Sequence, residues 1–492
     1  MRLFVVYLLG LMALLPSKPF CDPGAFWHVR VGERVLEHGF FNGDPYTFTF
    51  PDEFWIPQQW LAECGMALVH KLAGFDAILL AMCVLLAGFY TWITRRMMEG
   101  GLRWPMAMGL TCLGMFVSSF HFFARPHLLT LVLLGWYFAT LVDYEAERVT
   151  LRRILWLIPL TALWANLHGG VLAGIMTMGM AWLGWCVFRV ISTRTAVIML
   201  FIGIGCGLMI LVNPYGLDLP RTWWRIMGSR VIKEQVSEHL PINLRRTPDQ
   251  AVTIYFVIYV ALLLTTWGTR PRVVWFIPIV WYGLTVQSIR QGPLFCTVAL
   301  FAIADFLPYS GLLRFLRRSG DTLARKPEEP PLPAISWRSW IAPCALVTFI
   351  LGLQMSHIRL PIVGSGCAKL DPEMQPIELV KPLREYAKSH PVGTPIFNDS
   401  NWGGFLIYFA PELRIYTDDR FELYGDPFLL DYLDLVEKHP ERIEALADKY
   451  GFDCAFIRIA SNLKMDGYLK SSPRWREVAR TSTAVMYLRN GS

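Results

Sequence analysis

The chain has 492 residues, of which 54% are hydrophobic, 14% aromatic and only 17% charged. A soluble protein of that length carries nearer a quarter charged residues, so the composition excludes an ordinary soluble class. The formal net charge of +7 is spread between apolar runs, which makes it a topological signal rather than a nucleic-acid one. In chain order the apolar runs are Leu3–Leu15, Asp76–Ile93, Met106–Phe123, Leu128–Val142, Ile154–Asn166, Val171–Phe188, Ala196–Val212, Ala251–Trp267, Val273–Val286, Leu294–Leu307 and Trp340–Met355. Roughly 20 apolar residues cross a bilayer, so these runs predict an α-helical polytopic membrane protein of about eleven transmembrane helices. The first run has the length of a signal peptide, but Pro16-Ser17-Lys18-Pro19 offers no small-residue cleavage site, and a retained span is expected. The ten cysteines are scattered without metal-type spacing. Cys21 and Cys64 would bridge only if both faced an oxidising compartment.

Basic residues orient the runs. Alternate loops hold Arg95, Arg96 and Arg103; Arg148, Arg152 and Arg153; Arg189 and Arg194; Arg270 and Arg272; and Arg314, Arg317, Arg318, Arg325 and Lys326. Placing these loops in the cytoplasm satisfies the positive-inside rule with the N-terminus inside, a multi-pass protein of the cytoplasmic (inner) membrane. Outside then lie 21–75, 121–127, 167–170, 213–250, 287–293 and everything after Met355. The loop 213–250 departs from the rule, with Arg221, Arg225, Arg230, Lys233, Arg245 and Arg246. Either a span nearby is miscounted or these cations meet an anion at the outer surface.

The stretch Leu313–Arg338 is charged and Pro-rich, as a flexible cytoplasmic linker would be. Beyond it, 357–492 reads as an extracytoplasmic α/β domain, leaving 1–356 as the membrane domain with its first outer loop at 21–75. Strands are predicted at Thr394–Phe397, Leu413–Thr417, Cys454–Ile459, Trp475–Ala479 and Ala484–Leu488. Helices are predicted at Pro376–Ser389, Trp402–Phe409, Pro427–Lys438 and Glu441–Tyr450.

With this topology the unusual polar residues gather on the outer side: Arg125 and His127, Asn166 and His168, Asn213 and Tyr215, and Arg290. Each alone is explained by snorkelling at a helix end; together around loop 21–75 they point to a polar chamber open to the outer face. Asp22 stands where an N-cap would, ahead of Pro23 and an amphipathic helix through His38. A carboxylate in a partly dehydrated cleft also suits general-base work or metal binding. His28 is a surface histidine or a catalytic one, and Asp44 of Asp44-Pro45-Tyr46-Thr47 caps its own turn or serves as a second acid. Gln58, Trp60 and Glu63 open a helix, Pro57–Leu72, suited to the membrane interface. In the outer domain Asn398, Asp399 and Trp402 follow one strand, and Asp418, Asp419 and Arg420 the next. In a parallel sheet both stretches lie at carboxyl ends, where open α/β folds bind ligands and Gly403-Gly404 would permit close approach. Turn formation explains the same residues without a ligand.

The stretches Asp-Pro-x-x-Phe-Trp-His (22–28), Gly-Asp-Pro-Tyr-Thr-Phe-Thr (43–49) and Gln-Trp-Leu-Ala-Glu (59–63) resemble the first outer loop of the multispanning GT-C glycosyltransferase superfamily. The chain is most similar to its bacterial branch related to protein mannosyltransferases and lipopolysaccharide glycosyltransferases. Asn-Asp-x-x-Trp-Gly-Gly (398–404) and Asp-Asp-Arg-x-x-Leu-Tyr-Gly (418–425) are similar to that branch's outer domain. The resemblance implies an inverting enzyme that moves a sugar from a polyprenyl-phosphate-linked donor to a lipid, glycan or protein acceptor at the outer membrane face. It places Asp22, then Asp44, as the base or metal ligand, and assigns the carrier phosphate to arginines, for which Arg125, Arg290, Arg221 and Arg225 are the candidates. It implies no certain cofactor and allows a divalent cation, Mg or Mn. The second outer loop, 121–127, lacks the acidic pair of oligosaccharyltransferases, which favours metal-independent catalysis. Membrane lipids are expected partners; nucleic acid is not. A polysaccharide polymerase or ligase, or a lipid-linked glycan flippase or transporter, is the alternative, although the latter calls for mid-membrane charges and internal repeats.

Overall fold

The computed structural model describes residues 1–492 except Trp267, Asp321 and Ser492, together with the side chain of Gln235. Each predicted apolar run folds largely as helix, from Arg2–Leu14 to Ile341–Met355. The predicted end of one run, Trp267, lies outside the described residues. Five helices have the length and composition to cross a membrane: Trp60–Glu99, His127–Glu145, Thr247–Leu264, Ile289–Tyr309 and Trp337–Met355. Others, including Arg2–Leu14, Val171–Val187 and Thr193–Met209, are apolar but shorter. The bundle is built around Gly292–Phe306, whose residues are almost all buried and which packs on His127–Glu145, Trp104–Ser118 and Trp60–Glu99.

Two expectations change in detail. The interfacial helix and the following span form one element, Trp60–Glu99, broken at Ala73 and Gly74, where Gly74 takes φ +62° and turns the chain. The linker 313–338 is not free chain. It begins as the helix Gly311–Arg318, and its middle is tied to the turn before Trp104–Ser118 by Arg103 N–H to Leu323 O (2.9 Å) and Arg325 N–H to Gly101 O (2.8 Å). All ten cysteines are free thiols, Cys21 and Cys64 among them.

After the last apolar helix the chain forms a five-stranded mixed sheet. Its strands are β1 (Pro395–Asn398), β2 (Arg414–Ile415), β3 (Cys454–Arg458), β4 (Trp475–Arg480) and β5 (Ala484–Arg489), in the order β2-β1-β3-β5-β4. β1 runs parallel to β2 and β3, and the β5–β4 hairpin closes the other edge. Helix Leu463–Ser471, not predicted, crosses between β3 and β4.

The exposed edge of β2 is covered by the first loop. Ile415 N–H donates to Tyr46 O (3.1 Å) and Phe48 N–H to Ile415 O (3.2 Å), so 46–48 extends the sheet by a short strand-like stretch. Helix Gly403–Phe409 meanwhile lies against helix Gly24–His38, where Phe26 meets Phe405 and Phe409 at ring-centroid distances of 5.6 and 5.9 Å. The contact is close enough to need glycine, since a Cβ on Gly404 would sit 2.3 Å from Pro23 O and 2.7 Å from Trp27 Cδ1. Gly404→Ala is therefore expected to destabilise the protein by about 1–3 kcal/mol through overpacking against backbone. Thermal unfolding of the purified protein measures this; an unchanged midpoint would mean that the two helices separate at little cost.

Candidate active site

Asp22 lies one residue before Pro23, and its Oδ1 accepts a hydrogen bond from Gly24 N–H (2.8 Å), so it does cap the start of helix Gly24–His38. It also pairs with Arg125: the Arg125 Nε lies against its carboxylate. Arg125 Nη2 donates to Asp419 Oδ2 (2.7 Å), and Trp27 Nε1 donates to Asp419 Oδ1 (2.9 Å). A guanidinium from the 121–127 loop thus bridges a carboxylate of the first loop and one of the C-terminal sheet. Gly24 makes room for it, because a Cβ there would meet Arg125 Nε at 2.2 Å.

A third acid stands nearby. Glu238 Oε1 accepts from Arg290 Nη1 (3.1 Å), its Oε2 is 3.7 Å from His121 Nδ1, and Arg290 Nη1 is 2.8 Å from His239 Nε2. Its charge reaches both Asp22 and Arg125. His127 backs this group, with Nε2 2.8 Å from His121 O and its ring 4.4 Å from that of His121. His168 lies behind His127, fixed by Gly170 N–H to Nδ1 (2.9 Å).

Burial and charge set the titration here. Burial raises the carboxyl of Asp419 to about 7, with Arg125 opposing and Asp22 and Asp418 adding repulsion. Burial likewise lifts Asp22 above the usual carboxylate range against the pull of Arg125. Two carboxylates facing one guanidinium act as a pair that holds a proton to higher pH than either would alone. For Glu238 burial is overcome by Arg290, then His121 and Arg125, which hold it well below the usual range. Burial, then Arg290, pulls His239 down to about 4, so it is neutral at physiological pH.

The other predicted residues sit elsewhere, most of them in internal pairings. Asp44 Oδ1 accepts from Arg420 Nη1 (2.7 Å) while its Oδ2 caps Thr47 N–H (2.9 Å), and Arg420 is also held by Asp418 (Nη2–Oδ2 2.6 Å). All three side chains of this triad are 0% exposed, as against 15% for Asp22, 11% for Asp419 and 24% for Glu238. Only the second set is reached by solvent. His28 Nδ1 is 2.8 Å from Glu63 Oε1, and both are buried between helices Gly24–His38 and Trp60–Glu99.

Asn398 clamps β1 to β2 through Tyr416 N–H (2.8 Å) and Thr417 O (2.7 Å). Asp399 receives Asn401 N–H (2.8 Å) and Ser461 Oγ–H (2.7 Å), and Trp402 Nε1 donates to Met374 O (2.9 Å). Both motif stretches do follow parallel strands; Gly404 admits helix Gly24–His38 and Gly403 packs on the Thr417–Asp418 backbone. Asn166 is spent on Trp60 Nε1 (2.7 Å) and Val212 O (2.7 Å), and Asn213 on Tyr215 N–H (2.7 Å) and Ile210 O (2.8 Å). The Tyr215 ring packs against Phe40. Arg221 is exposed and pairs with Asp218 (3.1 Å), and Arg225 lies over the Phe54 ring at 5.6 Å.

The structure adds Glu238, His121, His239 and Trp27 to the site. Glu238 belongs to 213–250, whose surplus of cations draws attention away from its acids. The signal was Glu238-His239, two adjacent titratable residues in a loop already placed beside the chamber.

Two converging carboxylates raise the question of a divalent cation. Arg125 already fills the position between them, and among the described residues no three His, Cys, Asp or Glu side chains converge as a metal set. The side chains as they stand do not fit such an ion.

No protein-family model and no curated protein sequence matches the chain. Similar solved structures include the archaeal oligosaccharyltransferase AglB from Archaeoglobus fulgidus in complex with an inhibitory peptide and a dolichol-phosphate. It is 11% identical, with a TM-score of 0.47, over 93% of this chain and 69% of that one. The arabinofuranosyltransferase AftD from Mycobacteria is 12% identical, with a TM-score of 0.48, over 100% of this chain and 40% of that one. The Archaeoglobus fulgidus oligosaccharyltransferase in complex with Zn and sulfate is 9% identical, with a TM-score of 0.43, over 99% of this chain and 73% of that one.

The buried triad and the open cluster should separate on mutation. Arg420→Met leaves two buried carboxylates without a cation and is expected to cost about 3–5 kcal/mol. Asp22→Asn, at a site open to solvent, should shift the unfolding midpoint far less. Equal losses for the two variants would show that the cluster at Asp22 is also structural.

Proposed function

We propose that the chain is a membrane glycosyltransferase that moves a sugar from a polyprenyl-phosphate-linked donor to a hydroxyl-bearing lipid, glycan or protein acceptor. The observation that carries this reading is the convergence of solvent-reachable Asp22, Asp419 and Glu238 with Arg125 and Arg290 at one end of the helical bundle, beneath the C-terminal sheet. It agrees with the GT-C-like motifs in which Asp22 stands.

The chemistry follows from the residues. Asp22, raised by burial, takes the acceptor hydroxyl proton as that oxygen attacks the anomeric carbon. The bond from that carbon to the carrier phosphate breaks in the same displacement, which inverts the configuration. The leaving phosphate collects negative charge, and Arg290, a third exposed, is the guanidinium placed to receive it. Arg125 keeps Asp22 and Asp419 apart in charge and fixed in place. We read the bundle as spanning the cytoplasmic membrane about eleven times with the N-terminus inside, by the positive-inside rule. On that reading the site and residues 357–492 face outward.

Two measurements bear on this. Asp22→Asn is expected to lower the rate of sugar transfer from a polyprenyl-phosphate-linked monosaccharide into membrane acceptors by about 10²–10⁴-fold at normal protein levels. A variant that retains full transfer rules Asp22 out as the base. The pH profile gives a second handle. Burial keeps a proton on Asp419 up to about 7 and lifts Asp22 above the usual carboxylate range, so the base form of Asp22 accumulates as pH rises and the rate should climb above that range. Asp419→Asn leaves Asp22 as the only acid on Arg125 and removes the repulsion, so the acid limb should move to lower pH. An unmoved limb would show that the pair does not set the profile.

A further inference from the structure

The end of the bundle away from Asp22 holds a cavity of about 740 Å³ between helices Arg2–Leu14, Trp60–Glu99, His127–Glu145 and Ile341–Met355. Leu85, Phe89, Val132 and Val347 give it an apolar lining. A second cavity of about 410 Å³ adjoins it, lined by Arg96, Asp143 and Thr140. Trp92, Trp136 and Arg153 line both, so the two form one groove with an apolar arm and a polar head. Asp143 lies sixteen residues beyond His127 on the same helix, which puts this head roughly 24 Å from the Asp22 cluster at 1.5 Å per residue.

Charge at the head is uneven. Arg96 is bidentate on Asp143 (2.8 and 2.6 Å), and Arg148 Nε also donates to Asp143 (2.8 Å). The Arg153 side chain is exposed and, among the described residues, has no acid or hydrogen-bond acceptor. An unneutralised guanidinium at the mouth of an apolar slot between membrane helices, flanked by tryptophans, matches the shape and charge of an anionic lipid. The helix Ile341–Met355, which leads to the C-terminal sheet, is largely exposed along its length and forms one wall of the slot.

We propose that this groove binds one anionic phospholipid of the adjoining leaflet, with its phosphate on Arg153 and an acyl chain between Ile341–Met355 and the bundle. The site is separate from the catalytic cluster and independent of the reaction assigned to it. A bulk lipid would fill the apolar arm without regard to headgroup, and Arg153 makes the difference.

The test uses the full-length protein in nanodiscs of phosphatidylcholine containing a minor fraction of phosphatidylglycerol, with retained lipids counted by native mass spectrometry. The wild type should hold one phosphatidylglycerol in preference to phosphatidylcholine. Arg153→Gln should reduce that preference about fivefold, the factor typical of one arginine at an anionic surface. Arg152→Gln, on an exposed neighbour that does not line the groove, should leave it unchanged. Gly88→Leu places a side chain in open space within the slot and should lower retention of both lipids. No headgroup preference in the wild type, or an equal loss with Arg152→Gln, overturns the proposal, as does undiminished retention in Gly88→Leu.

Discussion

Arg125 ties Asp22, from the first loop, to Asp419, from the end of the second strand of the C-terminal sheet. A guanidinium is suited to this because its planar fork can serve two carboxylates in fixed directions, where an ammonium would be a point charge. The position of Arg125 depends in turn on Gly24, whose missing Cβ lets it lie across the start of helix Gly24–His38. The same helix receives Gly404 from the other side and donates Trp27 Nε1 to Asp419. One turn of helix therefore sets the spacing between the membrane bundle, the sheet and the candidate base.

Consecutive residues of the Asp418-Asp419-Arg420 stretch face opposite ways, and their fates differ accordingly. Asp418 and Arg420 turn inward to form a buried triad with Asp44, where removal from water is offset by paired charge and by backbone N–H donors. Asp419 turns toward the bundle, shares its cation with another acid, and stays partly open to solvent. A buried triad whose two carboxylates are held by one guanidinium and by backbone N–H donors is suited to holding two segments in register. A cluster with the same ratio of acids to cation that stays partly open to solvent is suited to moving a proton.

Much of this was legible in the sequence. Apolar runs long enough to be helices located the bundle, and β-rich stretches bounded by turn residues located all five strands to within a few residues. Loop polarity drew attention to Asp22, Arg125, Arg290 and Asp419 before any geometry was known. What stayed hidden were long-range pairings. Tyr46–Phe48 has no strand periodicity of its own and is extended only because it lies along β2. The Asn398–Gly404 stretch has the composition of a ligand loop, yet it is consumed by clamping β1 to β2 and by admitting helix Gly24–His38. For Asp22 the capping and chemical readings are not rivals, because one oxygen caps Gly24 while the carboxylate also faces Arg125.

The division of the chain near residue 356 does not divide the site. The first loop supplies an edge to the sheet, and the sheet supplies Asp419 to the bundle. Residues 357–492 therefore cannot be treated as a detachable binding module. Without them Asp44 would lose Arg420, Arg125 would lose one of its two acids, and the β2-paired stretch 46–48 would lose its partner. A truncated chain would alter the surroundings of Asp22 even if its backbone stayed in place, since Arg125 would then face Asp22 without Asp419. Point variants that alter one charge and keep the interface are the informative perturbations of this architecture, because they separate the chemistry of the acid pair from the assembly that creates it.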